Sequence, residues 1–439
     1  MKNLVIWMLE SIKKYGDKVF IVNKEKEYSY NGYYKDMMRV YKSIDGYKVL
    51  IKPTDKYFYT LAVGACLFKH TMPFLSNPSS HVYDDYKFDL IIDDDFVINA
   101  LNNEFEEYEY NDFSNNDVAC VLLSSGTSQT PKPIVLSHKA MARNIEAGFE
   151  IFYIGSNWKF VSILPLDHAF GITSDFLDLM FSGATICYSY TIIEFFMNLK
   201  RYNPNQISIP INILKTICQM LDENGKQILG NNMEQILVGG SKCSQELVDY
   251  FKKYNVTVCT SYGLTECAPC VSISSPKYFK ENSDGKVFSC HKMVIDEDGR
   301  ILVKGDSIML NYLDLYEKGI ICDCVDTKDV GYIDEDGYIF VTGRADNLIV
   351  LDNGFKIQPE SFEKDLMKVP GIIDCVIYYY DKKLYLDVIK NNELVEDLNK
   401  KYDYLEIQIN FVSDIKKNAL GKIDRGYYKN GKKEENARL

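Results

Sequence analysis

The residues best suited to bind phosphate lie in one short polar segment. Residues 122–138 read LLSSGTSQTPKPIVLSH, where two apolar stretches flank a loop of hydroxyl residues with one glycine and one lysine. This order predicts a strand, a tight loop and a second strand. Small hydroxyl residues and glycine let backbone N–H groups turn inward around an anion, and the lysine offers a point charge to phosphate oxygens. The candidate phosphate-binding residues are Ser124, Ser125, Gly126, Thr127, Ser128 and Lys132.

Simpler interpretations of two polar patterns stay open at this point. The loop taken alone is also typical of an exposed turn, and it is not a Walker loop, because no Gly-Lys-Ser/Thr follows Gly126 at the required spacing. The pairs Cys267-x-x-Cys270 and Cys322-x-Cys324 could ligate zinc, but neither has a His cluster or a second CxxC nearby. Cysteine is often simply a small buried apolar residue, and we expect that role here.

A second candidate site follows the predicted strand 256–261, where the chain reads Tyr262-Gly263-Leu264-Thr265-Glu266. A tyrosine at a strand end offers a flat face to adenine, and Thr265 offers a hydroxyl to a phosphate. Glu266 offers a hard oxygen ligand to Mg²⁺, which prefers octahedral oxygen and keeps several waters. A Tyr-Gly pair by itself could be only a turn.

Two glycines end another predicted strand, in the segment QILVGGS at residues 235–241. Without a Cβ, Gly239 and Gly240 let the backbone approach a flat ligand closely. A plain β-turn is the alternative interpretation of this segment.

The elements that would position these residues alternate between helical and strand patterns. Helical spacing over 4–15, a hairpin over 19–30, a helix over 33–44 and a buried helix over 58–69 begin the series. Such alternation predicts an α/β fold with parallel-type sheets flanked by helices. From Val294 the pattern changes to short strands with Asp-Gly turns at 298–299 and 336–337, which predicts a small antiparallel β unit. After about residue 345 we expect a compact α+β domain.

Composition limits the class of protein. The 439 residues predict two to four domains. A net charge of −12 argues against a nucleic-acid or anionic-membrane surface. The 12 scattered cysteines fit a reducing cytosol, so we expect a cytoplasmic protein. We expect no spanning helix, since no uninterrupted apolar stretch reaches about 18 residues, and the apolar run 4–9 is too short for a signal-peptide core.

Taken together, these motifs resemble the adenylate-forming superfamily of acyl-CoA and aryl-CoA synthetases, luciferases and peptide-synthetase adenylation domains. The phosphate loop of that family reads Thr-Ser-Gly-Thr-Thr-Gly-x-Pro-Lys-Gly, and here Gln129 and Pro133 replace two glycines. The match to its Tyr-Gly-x-Thr-Glu is complete. Further matching segments are PLDHAFG at 165–171, DTKD at 326–329, GFKIQP at 354–359 and GKIDR at 421–425. They occur in family order over about two-thirds of the chain.

The resemblance implies a role for each matching residue. His168 would form a wall of the carboxylate pocket and gate it, and Ala169 after it disfavours an α-amino acid substrate. Lys422 would enter the active site and bridge the carboxylate and the α-phosphate. The other implied residues are Gly239, Gly240, Ser241, Tyr262 and Gly263 for the adenine side, Thr265 and Glu266 for phosphate and Mg²⁺, Asp329 and Arg344 for ribose or phosphate, Asp346 as the hinge, and Gly354 and Lys356 facing the thiol acceptor.

The resemblance also implies a domain order and an activity. Residues 1–344 would form an ATP- and carboxylate-binding domain with an abbreviated N-terminal part and the β unit at about 290–344, and residues 345–439 would form a mobile lid. The activity would be ATP- and Mg²⁺-dependent adenylation of a small-molecule carboxylate, followed by transfer to CoA or to the phosphopantetheine of an acyl carrier protein. Lys328 in place of a glycine, and Val350 where relatives carry Lys or Asn, leave two alternatives: a non-catalytic nucleotide-binding relative, or transfer to a non-thiol acceptor.

Overall fold

The computed structural model describes residues 3–108, 114, 116–124, 131–240, 243–391, 398–417 and 423–432. Two compact units divide the chain. The first holds Met1–Val294, Leu302–Val325 and Ile333–Phe340, and the second holds Ile295–Ile301, Asp326–Tyr332 and Val341–Leu439. The predicted division into residues 1–344 and 345–439, with a hinge at Asp346, remains a proposal.

In chain order, the elements up to residue 290 are α1 (Leu4–Tyr15), β1 (Val19–Asn23), β2 (Lys26–Ser29), α2 (Tyr30–Ser43), β3 (Lys48–Ile51), α3 (Lys56–Phe68), β4 (Met72–Leu75), β5 (Leu90–Ile92), α4 (Asp94–Ala100), β6 (Val118–Leu123), β7 (Pro133–Ser137), α5 (His138–Ile151), β8 (Lys159–Ser162), α6 (Ala169–Ile172), a π-helical turn (Thr173–Leu177), α7 (Asp178–Ser182), β9 (Thr185–Tyr188), α8 (Ile192–Tyr202), β10 (Gln206–Pro210), α9 (Ile211–Asn224), a 3-10 turn (Lys226–Leu229), β11 (Gln235–Gly239), α10 (Gln245–Lys252), β12 (Thr257–Gly263), a 3-10 turn (Thr265–Cys267), β13 (Cys270–Ile273) and β14 (Lys286–Val287).

The remaining elements are β15 (His291–Ile295), β16 (Arg300–Gly305), β17 (Asn311–Tyr312), α11 (Leu313–Tyr316), β18 (Val325–Ile333), β19 (Ile339–Arg344), a 3-10 turn (Ala345–Asn347), β20 (Ile349–Val350), β21 (Lys356–Ile357), α12 (Pro359–Leu366), β22 (Ile372–Tyr380), β23 (Lys383–Lys390), α13 (Leu398–Lys401), a 3-10 turn (Asp403–Leu405), β24 (Gln408–Phe411) and α14 (Arg425–Lys429).

Two large mixed sheets dominate the first unit. One has the order β14-β13-β12-β11-β10-β8-β9-β1-β2, and the other has the order β17-β7-β6-β4-β3-β5. The inner neighbours from β12 to β1 pair in parallel, whereas β2, β13 and β14 are antiparallel additions at the edges. The predicted α/β fold is therefore confirmed, with antiparallel edges on its parallel sheets.

Apolar faces of helices cover these sheets, as the sequence pattern predicts. Helices α8, α9 and α10 pack on strands β8 to β12 around a cluster that includes Phe195, Leu214, Phe251 and Ile236, all fully buried. Each such side chain contributes about 1.5–3 kcal/mol on burial. Helix α3 is buried on almost every side, and Asp55 caps its start by accepting hydrogen bonds from the backbone of Tyr57 and Phe58.

The predicted small β unit is a four-stranded sheet of order β15-β16-β18-β19. Both predicted Asp-Gly turns are confirmed, because Gly299 and Gly337 take φ values of +78° and +75° that favour glycine. Farther along the chain, β22, β23 and β24 form a three-stranded sheet in the second unit. In the described part of the chain, no helix has the length and apolarity needed to cross a bilayer.

Candidate active site

The base of the predicted phosphate loop is a closed neck between β6 and β7. These strands pair antiparallel, with Leu123 opposite Pro133. Next to this pair, the backbone N–H of Ser124 donates to the carbonyl of Lys132 at 2.9 Å, and the N–H of Lys132 donates to the Ser124 hydroxyl at 2.9 Å. The Ser124 hydroxyl therefore stabilises the neck. The Lys132 side chain is exposed. Ser125, Gly126, Thr127 and Ser128 lie outside the described residues, so the strand–loop–strand prediction is seen at its two strands and its neck.

Tyr312 joins this loop to the second predicted motif. Its hydroxyl donates to Oε1 of Glu266 at 3.0 Å, and the Nζ of Lys132 lies 5.3 Å from the centre of its ring. The candidate phosphate-binding cation and the candidate metal ligand thus contact the same side chain. Sequence reasoning missed Tyr312, because it belongs to none of the recognised motifs.

Backbone geometry explains how Glu266 reaches this position. Strand β12 ends at Gly263, and a Cβ there would lie 2.1 Å from the carbonyl oxygen of Pro269, so only glycine fits. The N–H of Leu264 donates to that same carbonyl at 2.9 Å, and the tight turn that follows projects Glu266. Thr265 is buried beside it, with 6% of its surface exposed, and a phosphate would therefore need to enter this turn to reach its hydroxyl.

The ends of β11 and β12 lie side by side, as the rule for ligand sites at the carboxyl ends of parallel strands requires. Val238 pairs with Thr260, so Gly239 and Tyr262 lie near the same edge of the sheet. A Cβ on Gly239 would come within 3.0 Å of the Phe170 ring, and Gly240 takes a φ of +79°. Phe170 is a second residue that sequence reasoning missed, although it lies inside the matched segment 165–171. Ser241 lies outside the described residues.

His168 begins the short helix α6 and is exposed, and its side chain does not cap that helix. Close packing shapes the segment around it. A Cβ on Gly171 would lie 2.0 Å from the carbonyl oxygen of Pro165. The Nζ of Lys56 donates to the carbonyl of Leu164 at 3.0 Å, which anchors the loop before His168. An exposed ring on a tightly fixed turn suits a pocket wall.

The charge of Lys56 also acts on the buried carboxyl of Asp175. Burial lowers the pKa of Lys56 to about 8, and the negative charge of Asp175 opposes this shift. Burial likewise raises the pKa of Asp175 to about 6, and the charge of Lys56 together with a hydrogen bond from the Ser174 hydroxyl at 3.2 Å opposes that shift. No sequence pattern pointed to this pair, since Lys56 and Asp175 belong to separate helical segments.

The donor set at Glu266 fits a magnesium ion. Oε1 accepts the Tyr312 hydrogen bond, and the second oxygen is available to a hard cation, which would complete its octahedron with water and phosphate oxygens. Within the described residues, no group of three or more His, Cys, Asp or Glu side chains could hold a metal ion, so the zinc interpretation of the cysteine pairs gains no support. All 12 cysteines are free, and burial raises the pKa of Cys259 and of Cys290 to about 12.

The second unit holds the predicted ribose residues together. The Nη1 of Arg344 donates to Oδ1 of Asp329 at 3.0 Å and to the carbonyl of Thr327 at 3.0 Å. Lys328, which replaces the family glycine, takes a φ of +61°. Strand β18 thus has a left-handed residue at position 328 without the glycine. One carboxylate oxygen of Asp329 is paired with Arg344.

The predicted hinge and acceptor residues are held by contacts inside the second unit. Gln358 donates to the carbonyl of Arg344 at 3.1 Å, and the Nζ of Lys429 donates to the carbonyl of Asp346 at 2.6 Å. Gly354 takes a φ of +82°, and a Cβ added there would meet no neighbour within 4 Å. Lys356 forms an ion pair with Asp298 at 2.9 Å.

Lys422 lies outside the described residues, which resume at Ile423. Lys417 and Ile423 form an antiparallel bridge. Arg425 follows at the start of α14 and makes a bidentate ion pair with Glu363, with Nη1–Oε1 at 2.8 Å and Nη2–Oε2 at 2.6 Å. This pair ties the segment that follows Lys422 in the chain to α12.

Comparisons with known proteins identify the family of the chain. The AMP-binding enzyme family model matches residues 72–313, more than half of the 439-residue chain. The chain is 25% identical over 383 residues to 4-coumarate–CoA ligase 3 of Arabidopsis thaliana, covering 76% of this chain and 65% of that protein. It is 23% identical over 470 residues to 2-succinylbenzoate–CoA ligase of Staphylococcus epidermidis, covering 95% and 96%.

Solved structures show the same fold. O-succinylbenzoate coenzyme A synthetase of Bacillus subtilis, in complex with AMP, superposes with a TM-score of 0.78 at 18% identity, covering 97% of this chain and 98% of that chain. ATP-bound MatB of Rhodopseudomonas palustris superposes with a TM-score of 0.82 at 16% identity, covering 98% and 100%.

Proposed function

The chain belongs to the AMP-binding enzyme family, and from this premise we propose that it is an ATP-dependent ligase that activates a carboxylic acid as its adenylate, releases pyrophosphate, and then transfers the acyl group to a thiol. ATP and Mg²⁺ are the proposed cofactors. CoA is the favoured acceptor, because the curated relatives are named as CoA ligases. A carrier-protein phosphopantetheine is the alternative thiol.

The observation that carries this proposal is the contact of Lys132 and Glu266 with one tyrosine. A triphosphate needs a cation and a metal-binding carboxylate close together, because its own charge must be offset on both sides. If Lys132 belonged to an ordinary surface turn, there would be no reason for it to share a tyrosine with a carboxylate of another motif. The pairing therefore favours phosphate binding over the simple turn that stayed open from sequence.

In the proposed first step, a carboxylate oxygen of the substrate attacks the α-phosphorus of ATP, the bond to the β-phosphate oxygen breaks, and pyrophosphate leaves. No side chain supplies the nucleophile, so the chain's contribution is positioning and electrostatics. Lys132 and the hydroxyls of Ser124, Thr127 and Ser128 would hold the β- and γ-phosphates, with Ser125 and Gly126 offering backbone N–H groups. When bound at Glu266, Mg²⁺ would offset the triphosphate charge.

Further residues would hold the remainder of ATP and the acid. Tyr262 and Gly263, with Gly239, Gly240 and Ser241, would form the adenine side, while Asp329 would accept hydrogen bonds from the ribose hydroxyls beside Arg344. Thr265 would contact a phosphate, and His168 would face the carboxylate. Lys422 would bridge the carboxylate and the α-phosphate.

A rotation of the lid about Asp346 would then admit the thiol past Gly354 and Lys356. Such a hinge needs only a few positions that absorb backbone rotation. The proposed lid begins at about residue 345.

The 12 free cysteines support a reducing compartment such as the cytoplasm.

ATP–pyrophosphate exchange across a panel of carboxylic acids tests the first step. The panel should include cinnamic-type and succinylbenzoic-type aryl acids, which the relatives' names indicate, together with fatty and amino acids. We expect exchange with an acid other than an α-amino acid. A non-catalytic binder would retain ATP and give no exchange with any acid. Hydroxylamine trapping with and without CoA separates a thiol acceptor from another acceptor.

Lys422→Ala tests the role of the lysine in the lid. We expect exchange to be abolished, while thioester formation from supplied acyl-adenylate continues. Lys417→Ala is the matched control, since Lys417 lies five positions before Lys422 in the chain but is already paired with Asp374 at 2.6 Å. Exchange near the wild-type rate in Lys422→Ala would show that the assigned role is wrong.

A further inference from the structure

Tyr312 touches both charged groups of the proposed triphosphate site and belongs to none of the motifs that identify that site. We propose that Tyr312 is a positioning residue: its hydroxyl orients the Glu266 carboxylate for the metal ion, and its ring seats Lys132 for the phosphates. This inference rests on the proposed function, because it assumes that a metal–nucleotide complex binds there.

The fold holds Tyr312 in place through its backbone. Strand β17 pairs antiparallel with β7, with Tyr312 opposite Ile134. Lys132 lies two positions before Ile134 along the chain, so its side chain is on the same face and diagonal to Tyr312, within reach of a long side chain. The carbonyl of Glu266 also accepts a hydrogen bond from the backbone N–H of Met309 at 2.8 Å, so the segment leading into β17 fixes the Glu266 backbone.

The contacts have a direct chemical consequence. With Oε1 of Glu266 accepting from Tyr312 at 3.0 Å, the carboxylate cannot rotate freely, and its second oxygen keeps one direction for a metal ion. Outer-shell hydrogen bonds of this kind change metal affinity about 10- to 100-fold when removed. The ring face adds a cation–π attraction at Lys132, 5.3 Å from its centre, which would contribute about a two- to fivefold effect on phosphate affinity.

Two substitutions separate the two contacts. Tyr312→Phe removes the hydroxyl and keeps the ring, so metal binding should weaken while the contact of the ring with Lys132 is kept. Tyr312→Leu removes both. Tyr250→Phe is the matched control. The Tyr250 hydroxyl also donates to a carboxylate in the same unit, that of Asp222, but neither residue belongs to the proposed site.

Binding of Mn²⁺ in the presence of α,β-methylene ATP, followed by electron paramagnetic resonance, provides a readout that does not depend on turnover. We expect the half-saturating Mn²⁺ concentration to rise about tenfold or more in Tyr312→Phe and to stay at the wild-type value in Tyr250→Phe. Tyr312→Leu should show the same metal defect and also bind the nucleotide about two- to fivefold more weakly. Where exchange is measured, excess Mg²⁺ should restore kcat in Tyr312→Phe.

The outcomes distinguish this inference from the proposed function. If Tyr312→Phe binds the metal ion with wild-type affinity, the inference is overturned. ATP–pyrophosphate exchange by the wild-type chain would still support the proposed function in that case. A metal defect in Tyr312→Leu alone would assign the effect to the ring and overturn the role of the hydroxyl. If the wild-type chain binds no metal–nucleotide and gives no exchange, both the function and the inference fail.

Discussion

Replacing Arg425 by methionine is expected to destabilise the second unit by about 3–5 kcal/mol, which is the usual cost of leaving one member of a buried ion pair without its partner. The Arg425 and Glu363 side chains are 17% and 9% exposed, and they meet in a bidentate pair. Oε1 of Glu363 also accepts the backbone N–H of Ile377 at 2.8 Å, so α12, β22 and α14 share this one carboxylate.

Electrostatics of the pair explain why methionine should be so costly. Burial raises the pKa of Glu363, and the Arg425 guanidinium opposes that shift. Without the guanidinium, the carboxyl must stay buried as an unpaired charge or take up a proton. The double variant Arg425→Met with Glu363→Met should recover much of the loss, because well-packed apolar replacements of buried ion pairs are often neutral.

Native-state hydrogen exchange of peptides that cover 359–366, 372–380 and 423–432 measures this effect without assuming that the two units unfold together. A loss of 3–5 kcal/mol corresponds to roughly a 10²- to 10³-fold or larger increase in exchange rate through global opening. Lys368→Met is the matched control, since its ion pair with Asp365 is 69% and 67% exposed, and we expect at most about 1 kcal/mol there.

The same variant tests the link from packing to activity. Arg425 lies three positions after Lys422 in the chain, so Arg425→Met should also slow ATP–pyrophosphate exchange, while formation of thioester from supplied acyl-adenylate changes less. Exchange protection within tenfold of the wild type in all three peptides would refute the reasoning, because it would mean that the ion pair does not hold α14 to its unit.

Three other predictions concern stability. Burial lowers the pKa of His138 to about 3, so at a pH below about 6.5, the ordinary pKa of histidine, the unfolded chain binds a proton that the folded chain does not. The free energy of unfolding should therefore fall as pH decreases from about 6.5 toward 3, by about 1.4 kcal/mol per pH unit. His138→Leu should flatten the dependence of Tm on pH between 7 and 4.5. Gly263→Ala places a Cβ 2.1 Å from the Pro269 oxygen, so Tm and Mn²⁺ affinity should both fall. In the control Gly225→Ala, the added Cβ has no neighbour within 4 Å but the backbone φ is positive, so this variant measures the cost of conformation without the cost of crowding. Lys328, with a φ of +61°, should tolerate glycine without loss of Tm, whereas Lys328→Val should cost about 1–2 kcal/mol of unfolding free energy, measured by urea denaturation; equal Tm values for the two would contradict the argument.

Local chemistry was readable from the sequence because residue type and spacing decide it. The segment Tyr262-Gly263-Leu264-Thr265-Glu266 specified a strand, a glycine and a turn with a carboxylate, and the structure has that order. Alternating helical and strand patterns likewise predicted the α/β fold, since an amphipathic period of 3.6 or 2 must bury one face. The two Asp-Gly turns were also predictable from residue type, because positive φ values favour glycine.

Contacts between distant segments could not be read in that way. Strand β17 is only the two residues Asn311–Tyr312, which is too short to show any period, and its register against β7 is what brings Tyr312 to Lys132 and Glu266. The ion pair of Arg425 with Glu363 also joins separate elements. Residue types and spacing thus indicated most of the groups that could do the chemistry. Which of those groups meet depends on strand register and packing, and these are properties of the whole chain and not of any one segment.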